Sequence, residues 1–312
     1  MGEKLILSVS PHLTGWRTTQ NIMLDVIIAL CPAAVASVII FGLRALAVYA
    51  ATILSAVIFE FLFDRIMKKE NTVSDLSAVI TGMLLAMNLP VTIPLWQAVI
   101  GSFFAIVIVK CLFGGIGKNF ANPAIAGRIV MLLAFASSMS AVPAFRGSVD
   151  AISSATPLGL LAGGNGSSLS LVRLLIGTHS GALGETCAAA LLAGGAYLLI
   201  RRVISWHTPV VFIVTVYLGS LIVTGSPYTA LQYILSGGLI LGAFFMATDY
   251  VTTPTSKWGQ IVFGLGCGLL TFLIRFWGSY PEGVSFSILL MNILTPYIDK
   301  WTRRKPFGGV AA

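Results

Sequence analysis

Residues 22–41 read IMLDVIIALCPAAVASVIIF, twenty consecutive positions that hold a single charge, Asp25. A bilayer core about 30 Å thick is crossed by roughly 20 apolar residues in a helix, and this stretch is that long. Working outward along the chain, nine more apolar runs follow, at 45–63, 76–89, 96–112, 123–142, 184–200, 209–224, 231–247, 259–276 and 284–299. The runs are continuously apolar rather than alternating at every second residue, which favours helices over barrel strands. A polar arm precedes the first run and no small-residue cleavage site accompanies it. It is therefore read as a retained helix and not a signal peptide.

The composition agrees. Of 312 residues, 19 are Lys or Arg and 11 are Asp or Glu, while 57% are hydrophobic. A soluble domain of this length would carry roughly 78 charges. Mean hydropathy is +0.93, and lipid is the solvent that fits. The net charge of +8 is explained by placement. With the N-terminus inside, Lys4, Arg17, Arg65, Lys68, Lys69, Lys110, Lys118, Arg128, Arg201, Arg202, Lys257, Lys300, Arg303, Arg304 and Lys305 fall on the cytoplasmic side. Arg44, Arg146, Arg173 and Arg275 fall outside. Fifteen against four is a positive-inside bias, and it predicts ten spans with both termini cytoplasmic. The basic tail is then an anchor beside anionic lipid, and no nucleic-acid partner is expected.

The whole chain, 1–312, reads as one membrane domain. Its longest non-spanning stretch, 143–183, is rich in Gly and Ser and divides the chain near the middle. Sliding the sequence by 160 positions lays GMLLAMNLPVTIP (82–94) over GAFFMATDYVTTP (242–254), pairing Gly82 with Gly242, Val91 with Val251, Thr92 with Thr252 and Pro94 with Pro254. Five spans separate the partners, an odd number, so the halves at 22–142 and 184–300 would be oppositely oriented. The expectation is an all-α polytopic membrane protein of about ten transmembrane helices in two inverted five-helix repeats. Prolines 90, 94 and 254 end the third and eighth runs, which suits broken helices near a site at the interface of the halves.

Within 143–183 the sequence Asp150-Ala151-Ile152-Ser153-Ser154-Ala155-Thr156-Pro157-Leu158 places a threonine hydroxyl among small neighbours, ahead of a Pro that holds it extended. Such a hydroxyl can attack phosphorus to form a phosphodiester; without that modification it is an ordinary loop threonine.

Ser-x-Ala-Thr-Pro-Leu on the outer side of a ten-span chain resembles the covalent FMN attachment motif of the RnfD/NqrB family. Three other stretches resemble the same family: Gly114 to Ala124 (GGIGKNFANPA), Phe245 to Thr252 (FMATDYVT) and Tyr280 to Ser287 (YPEGVSFS), the last continuing through Leu289-Leu290-Met291-Asn292. Tyr250 departs from the pattern, which most often has Pro there. The resemblance implies FMN joined through its phosphate to Thr156, with Ser153, Ser154, Ala155 and Pro157 as recognition context and 143–183 as an extracytoplasmic attachment segment. It also implies a second, non-covalent flavin such as riboflavin, which the sequence does not place. The short N-terminal arm favours the RnfD branch over an NqrB-like subunit of a Na⁺-translocating NADH:quinone reductase. RnfD-type subunits serve in the prokaryotic cell membrane within the Rnf complex, which moves electrons between ferredoxin and NAD while transporting Na⁺ or H⁺. The implied partners are the flavoprotein RnfG, the membrane proteins RnfA and RnfE, and the Fe–S proteins RnfB and RnfC. The chain is expected to be one component of a translocating oxidoreductase, without a complete activity of its own. The competing class is a non-redox inverted-repeat transporter or channel.

Other residues are weaker candidates. Cys31, Cys111, Cys187 and Cys267 form no Cys-x-x-Cys pair, and His12, His179 and His207 have no metal-ligand spacing; no metal site is expected. Gly264-Leu265-Gly266-Cys267-Gly268 lies inside an apolar run without a preceding strand, so it reads as helix packing. Acids in or beside spans are costly, and Asp25 and Asp249 are the candidates for ion coupling. Glu60, Asp64 and Glu185 read as interfacial acids that pair with nearby Arg or Lys. Asn119 and Asn122 open the fifth run, where Asn caps a helix and Pro123 suits its first turn; lining a flavin pocket is the alternative role.

Overall fold

A computed structural model of the chain describes residues 18–69, 71–141, 156–163, 169–278 and 282–302. Ser153, Ser154 and Ala155, and most of 143–168 with them, lie outside the described residues. Among the described residues there is no strand.

The quoted run becomes α1 (Thr19–Phe41). Thr18 caps it, accepting from the Asn21 N–H at 3.2 Å, as a threonine ahead of an apolar stretch should. Gly42 stops it with φ 80° and hands over at once to α2 (Leu43–Ile66). Leu43, Ile39 and Ile66 stand mostly exposed on this pair, the faces that lipid would cover. The rest of the first group is α3 (Ser77–Met87), α4 (Leu95–Cys111) and α5 (Pro123–Ala134), with a short α6 (Ala136–Ser140) after it. α4 opens into wide π turns from Phe104 to Cys111, a local rewinding common at functional positions. α7 (Pro157–Ala162) and α8 (Leu171–Ile176) are short. The second group is α9 (Ala188–Ile200), α10 (His207–Thr224), α11 (Pro227–Leu235), α12 (Leu239–Met246), α13 (Lys257–Trp277) and α14 (Val284–Thr302).

All ten apolar runs carry helix, but they are not equal. Four helices are long and apolar enough to cross a membrane (α1, α2, α10 and α13), and α11 with α12, bent by 67°, makes a fifth. The shorter ones stop where the sequence forces them. α3 ends before Pro90, and its terminus is met by a segment from the other group: Gly184 N–H donates to Met87 O at 2.7 Å and Leu183 N–H to Leu89 O at 3.1 Å. Helix termini leave carbonyls unsatisfied, and inside a membrane domain only protein can answer them.

The two groups meet along α1 against α9 and α5 against α14, around a common apolar core that includes Leu85, Met87, Ile125, Leu241 and Ile288. Within the first group, α3 lies against α2 so closely that a Cβ on Gly82 would come 2.8 Å from Ile53 Cα. Glycine is what allows that approach.

Candidate cofactor cavity between the helix groups

The ends of α3, α5 and α12 leave a partly open cleft between the two groups with a cavity volume of about 110 Å³. Its walls are apolar where Ile80, Leu84, Phe244 and Phe245 face it, and polar where Ser77, Thr81, Lys110, Asn119, Asn122 and Asp249 do.

Each polar group is held by its own local structure. Asn122 caps α5: its Oδ1 accepts from Ala124 N (3.0 Å) and Ile125 N (3.3 Å), and Nδ2 donates to Met246 O at 3.4 Å. One asparagine thus ties the start of α5 to the end of α12. Asn292, turned so that its amide satisfies its neighbours, accepts from Asn122 N–H at 3.1 Å and donates to Thr252 O at 3.3 Å. Buried Asn119 donates to Ala121 O at 3.4 Å. Lys110, on the rewound part of α4, is 3% exposed. Its Nζ donates to both Glu60 oxygens (2.8 Å each) and to Ser77 Oγ (2.6 Å). Thr72 shares its hydroxyl between Glu60 (2.7 Å) and Asp64 (2.9 Å), and its N–H reaches Asp64 at 3.1 Å. Burial raises the Asp249 carboxyl above its ordinary value, against the pull of the Val251 N–H and the Thr252 hydroxyl.

A second buried charge lies beyond the end of α3. Arg128 donates to Asn88 Oδ1 at 2.7 Å and pairs with Glu185 at 3.4 Å and with Glu282. Asn88 in turn donates to Leu84 O at 2.6 Å, so this cluster reaches the cavity wall. Arg275, also buried, donates to Tyr233 O (2.6 Å) and Ser236 O (3.2 Å).

The sequence-derived candidates divide into three places. Asn119, Asn122 and Asp249 come together in the cavity. Asp25 does not: it accepts from Tyr197 OH (3.0 Å) and Arg201 (3.2 Å), joining α1 to the end of α9. Thr156 is elsewhere again. It caps α7, its Oγ1 accepting from Gly159 N at 3.2 Å, while Leu158 and Leu161 bury against Tyr233 and Pro157 fills the first helical position. Thr156 itself is half-buried. An ester oxygen at Oγ1 would keep a lone pair for the Gly159 N–H.

Three of the basic residues counted toward the positive-inside bias do not reach the surface. Lys110, Arg128 and Arg275 are buried internal partners and anchor nothing at the surface. With these three set aside, the sorting stands at thirteen against three. Lys110 and Arg128 are also the site residues that sequence reasoning missed. The signal is present, since each is a charge within an apolar run, and a basic residue there is as costly as an acid. Glu60 does pair as read, with Lys110.

Comparison with known proteins gives the chain its relatives. The family model described as the NQR2, RnfD, RnfE family matches residues 6–308. The D subunit of the Na(+)-translocating ferredoxin:NAD(+) oxidoreductase complex of Acetobacterium woodii is 46% identical over 307 residues, covering 97% of this chain and 95% of that protein. The D subunit of the proton-translocating ferredoxin:NAD(+) oxidoreductase complex of Clostridium ljungdahlii is 43% identical, covering 97% and 96%. The D subunit of the ion-translocating oxidoreductase complex of Escherichia coli (strain K12 / DH10B) is 35% identical, covering 97% and 98%. With a match from residue 6 to residue 308 and relatives aligned over nearly their whole length, the chain belongs to the NQR2, RnfD, RnfE family.

Proposed function

We propose that this chain is the D subunit of an ion-translocating ferredoxin:NAD oxidoreductase complex, a membrane component that relays electrons while Na⁺ or H⁺ is transported. The observation that carries this reading is 46% identity to a protein of that name over 97% of the chain. It favours the RnfD-type reading over an NqrB-like subunit or a non-redox transporter. The partners are the other components of that complex: RnfG, RnfA, RnfE, RnfB and RnfC.

In this reading FMN is carried on Thr156 Oγ1 as a phosphodiester, and a non-covalent flavin, riboflavin, occupies the cavity between the helix groups. When bound, a flavin supplies a carrier that accepts and releases electrons one at a time, and the protein supplies position and electrostatics. Ile80, Leu84 and Phe244 would exclude water from a planar ring. The Asn119 and Asn122 amides, held by their own backbone partners, would orient its polar edge. The Lys110–Glu60 pair keeps a buried positive charge beside the ring with its counter-charge in place. A covalent tether at Thr156 prevents loss of the carrier to the outer space.

Two inverted repeats supply the architecture. Helices that start at residues 77, 95 and 123 have counterparts starting at 239, 257 and 284, each within two residues of the offset of 160 that aligns the sequence. This reading has ten membrane passes, with both termini cytoplasmic and Thr156 outside; the matching helix starts and the positive-inside sorting of charge support it. Asp25 and Asp249 are assigned to ion coupling. If Asp25→Asn and Asp249→Asn variants both transport normally per electron, that assignment is wrong.

A denaturing gel tests the redox reading. Made together with a flavin transferase, the wild type should give a fluorescent band at the mass of this chain, and Thr156→Ala should give none. A dark wild-type band removes the covalent flavin.

A further inference from the structure

At about 1.5 Å per residue, the 24 residues of α2 outrun a bilayer core about 30 Å thick, so the last turn of this helix stands at headgroup level. Phe61, Asp64, Arg65, Lys68, Lys69 and Asn71 line a pocket of about 330 Å³ there, within the range of small-molecule sites. Three of these residues are basic and one is acidic. The acid is already engaged: Asp64 accepts from the N–H and the hydroxyl of Thr72, at 3.1 and 2.9 Å. Among the described residues, no carboxylate lies within ion-pair distance of Arg65, Lys68 or Lys69.

The turn that ends α2 sets the two lysines in place. Lys68 takes a left-handed φ of 52°, Lys69 N–H closes back on Asp64 O at 2.9 Å, and Lys68 N–H reaches Arg65 O at 3.4 Å. Glycine is the usual left-handed residue in this helix-ending pattern; lysine adopts it against a steric cost that glycine would not meet. Lys69 Nζ lies over the Phe63 ring, 5.3 Å from its centre. Leading to the pocket, Leu54, Ile58, Phe61 and Arg65 follow one another at spacings of four, three and four, which places them on one face of the helix. The first three are exposed. An apolar strip thus runs into a basic pocket.

We propose that this pocket binds the phosphate headgroup of an anionic phospholipid, with an acyl chain along the strip of Leu54, Ile58 and Phe61. Basic pockets at the ends of membrane helices suit such headgroups, and here the three cations have no acid of the chain to neutralise them. The strip decides between a lipid and a soluble anion, since a free phosphate would fill the pocket and leave the strip uncovered. The site also touches the buried charges described above. Asp64, in its wall, shares the Thr72 hydroxyl with Glu60, the partner of Lys110. A ligand that binds only the folded chain stabilises it, so the lipid should raise the unfolding temperature.

The test titrates the full chain and the intact complex in detergent with phosphatidylglycerol, phosphatidylcholine or inorganic phosphate. Bound lipid is counted by native mass spectrometry, and thermal unfolding is followed in parallel. The wild type should prefer phosphatidylglycerol and unfold at a higher temperature with it. Arg65→Gln, Lys68→Gln and Lys69→Gln should each weaken that binding roughly fivefold. Lys68→Arg, which keeps the charge, should bind as the wild type does, and so should a basic-tail variant, Arg303→Gln with Arg304→Gln. Equal affinity for the two lipids, or wild-type affinity in all three glutamine variants, overturns the proposal. A loss in Lys68→Arg or in the tail variant equal to that in Lys68→Gln also overturns it. Displacement of phosphatidylglycerol by an equal concentration of inorganic phosphate would make a soluble anion the ligand instead. Binding by the isolated chain but not by the intact complex would give this face to a neighbouring subunit, and overturns the proposal as well.

Discussion

Removing the Lys110 ammonium is the perturbation whose cost the structure defines best. In Lys110→Met the side chain keeps its length and loses three donated hydrogen bonds, two to Glu60 and one to Ser77. Glu60, 1% exposed, is left as a buried carboxylate that still accepts from the Thr72 hydroxyl but has lost its counter-charge. Breaking a buried pair from one side costs about 3–5 kcal/mol. With an unfolding entropy of about 2.1 cal/mol/K per residue, a chain of 312 residues should then unfold roughly 5–8 °C lower. Adding Glu60→Gln removes the stranded charge while the amide oxygen still accepts from Thr72, so the double variant should recover most of the loss. The assay is thermal unfolding of the purified protein in detergent, run as a double-mutant cycle. A single variant within about 1 °C of wild type, or a double variant less stable than the sum of the singles, would refute the reasoning.

Three other perturbations follow from the same geometry. Arg128→Met strands Glu185 and Glu282 and unties Asn88 from α5; it should cost about 3–5 kcal/mol or more and reduce accumulation in membranes, read by immunoblot, with Arg128→Lys intermediate. Because burial holds the folded Asp249 carboxyl above its unfolded value of 3.8, the folded chain keeps a proton that the unfolded chain has lost. Its contribution to stability therefore falls as pH rises from 3.8 toward the raised value and stays low above it. Asp249→Asn should flatten that part of a stability–pH curve and be the more stable at neutral pH. Gly82→Ala forces a Cβ to 2.8 Å from the α2 backbone and should cost about 1–3 kcal/mol, measured by the same thermal assay.

Much of the helical order was legible in the sequence, because in a chain this poor in charge the apolar runs announce the helices. The run at 22–41 became Thr19–Phe41 almost unchanged, and Pro90 marked where α3 stops. The sequence did not show how long each helix would be. The run at 123–142 breaks at Phe135 and that at 231–247 bends after Leu235, since tertiary contacts such as Asn122 to Met246 decide where a terminus is satisfied. The cavity itself could not be read, because its walls come from residues as far apart as Met23 and Val251. Asn119, Asn122 and Asp249 were legible one at a time; that they meet depends on how the two groups pack. The pairing of Lys110 and Arg128 was not legible as a count toward topology: a charge within a long apolar run is more informative as a buried partner. Thr156 reads in the sequence as a loop threonine before a Pro; that it caps α7, with the Gly159 N–H on its Oγ1, is seen only in the structure.

Counting flavin on the purified complex tests the central claim most directly. Acid extraction should release one riboflavin for each copy of this chain and leave one FMN bound to it. Thr156→Ala should lose only the bound flavin, and Asn122→Ala only the released one. A wild type with no acid-released flavin, or two variants that lose both flavins alike, would contradict an account in which one chain holds two flavins in two separate places.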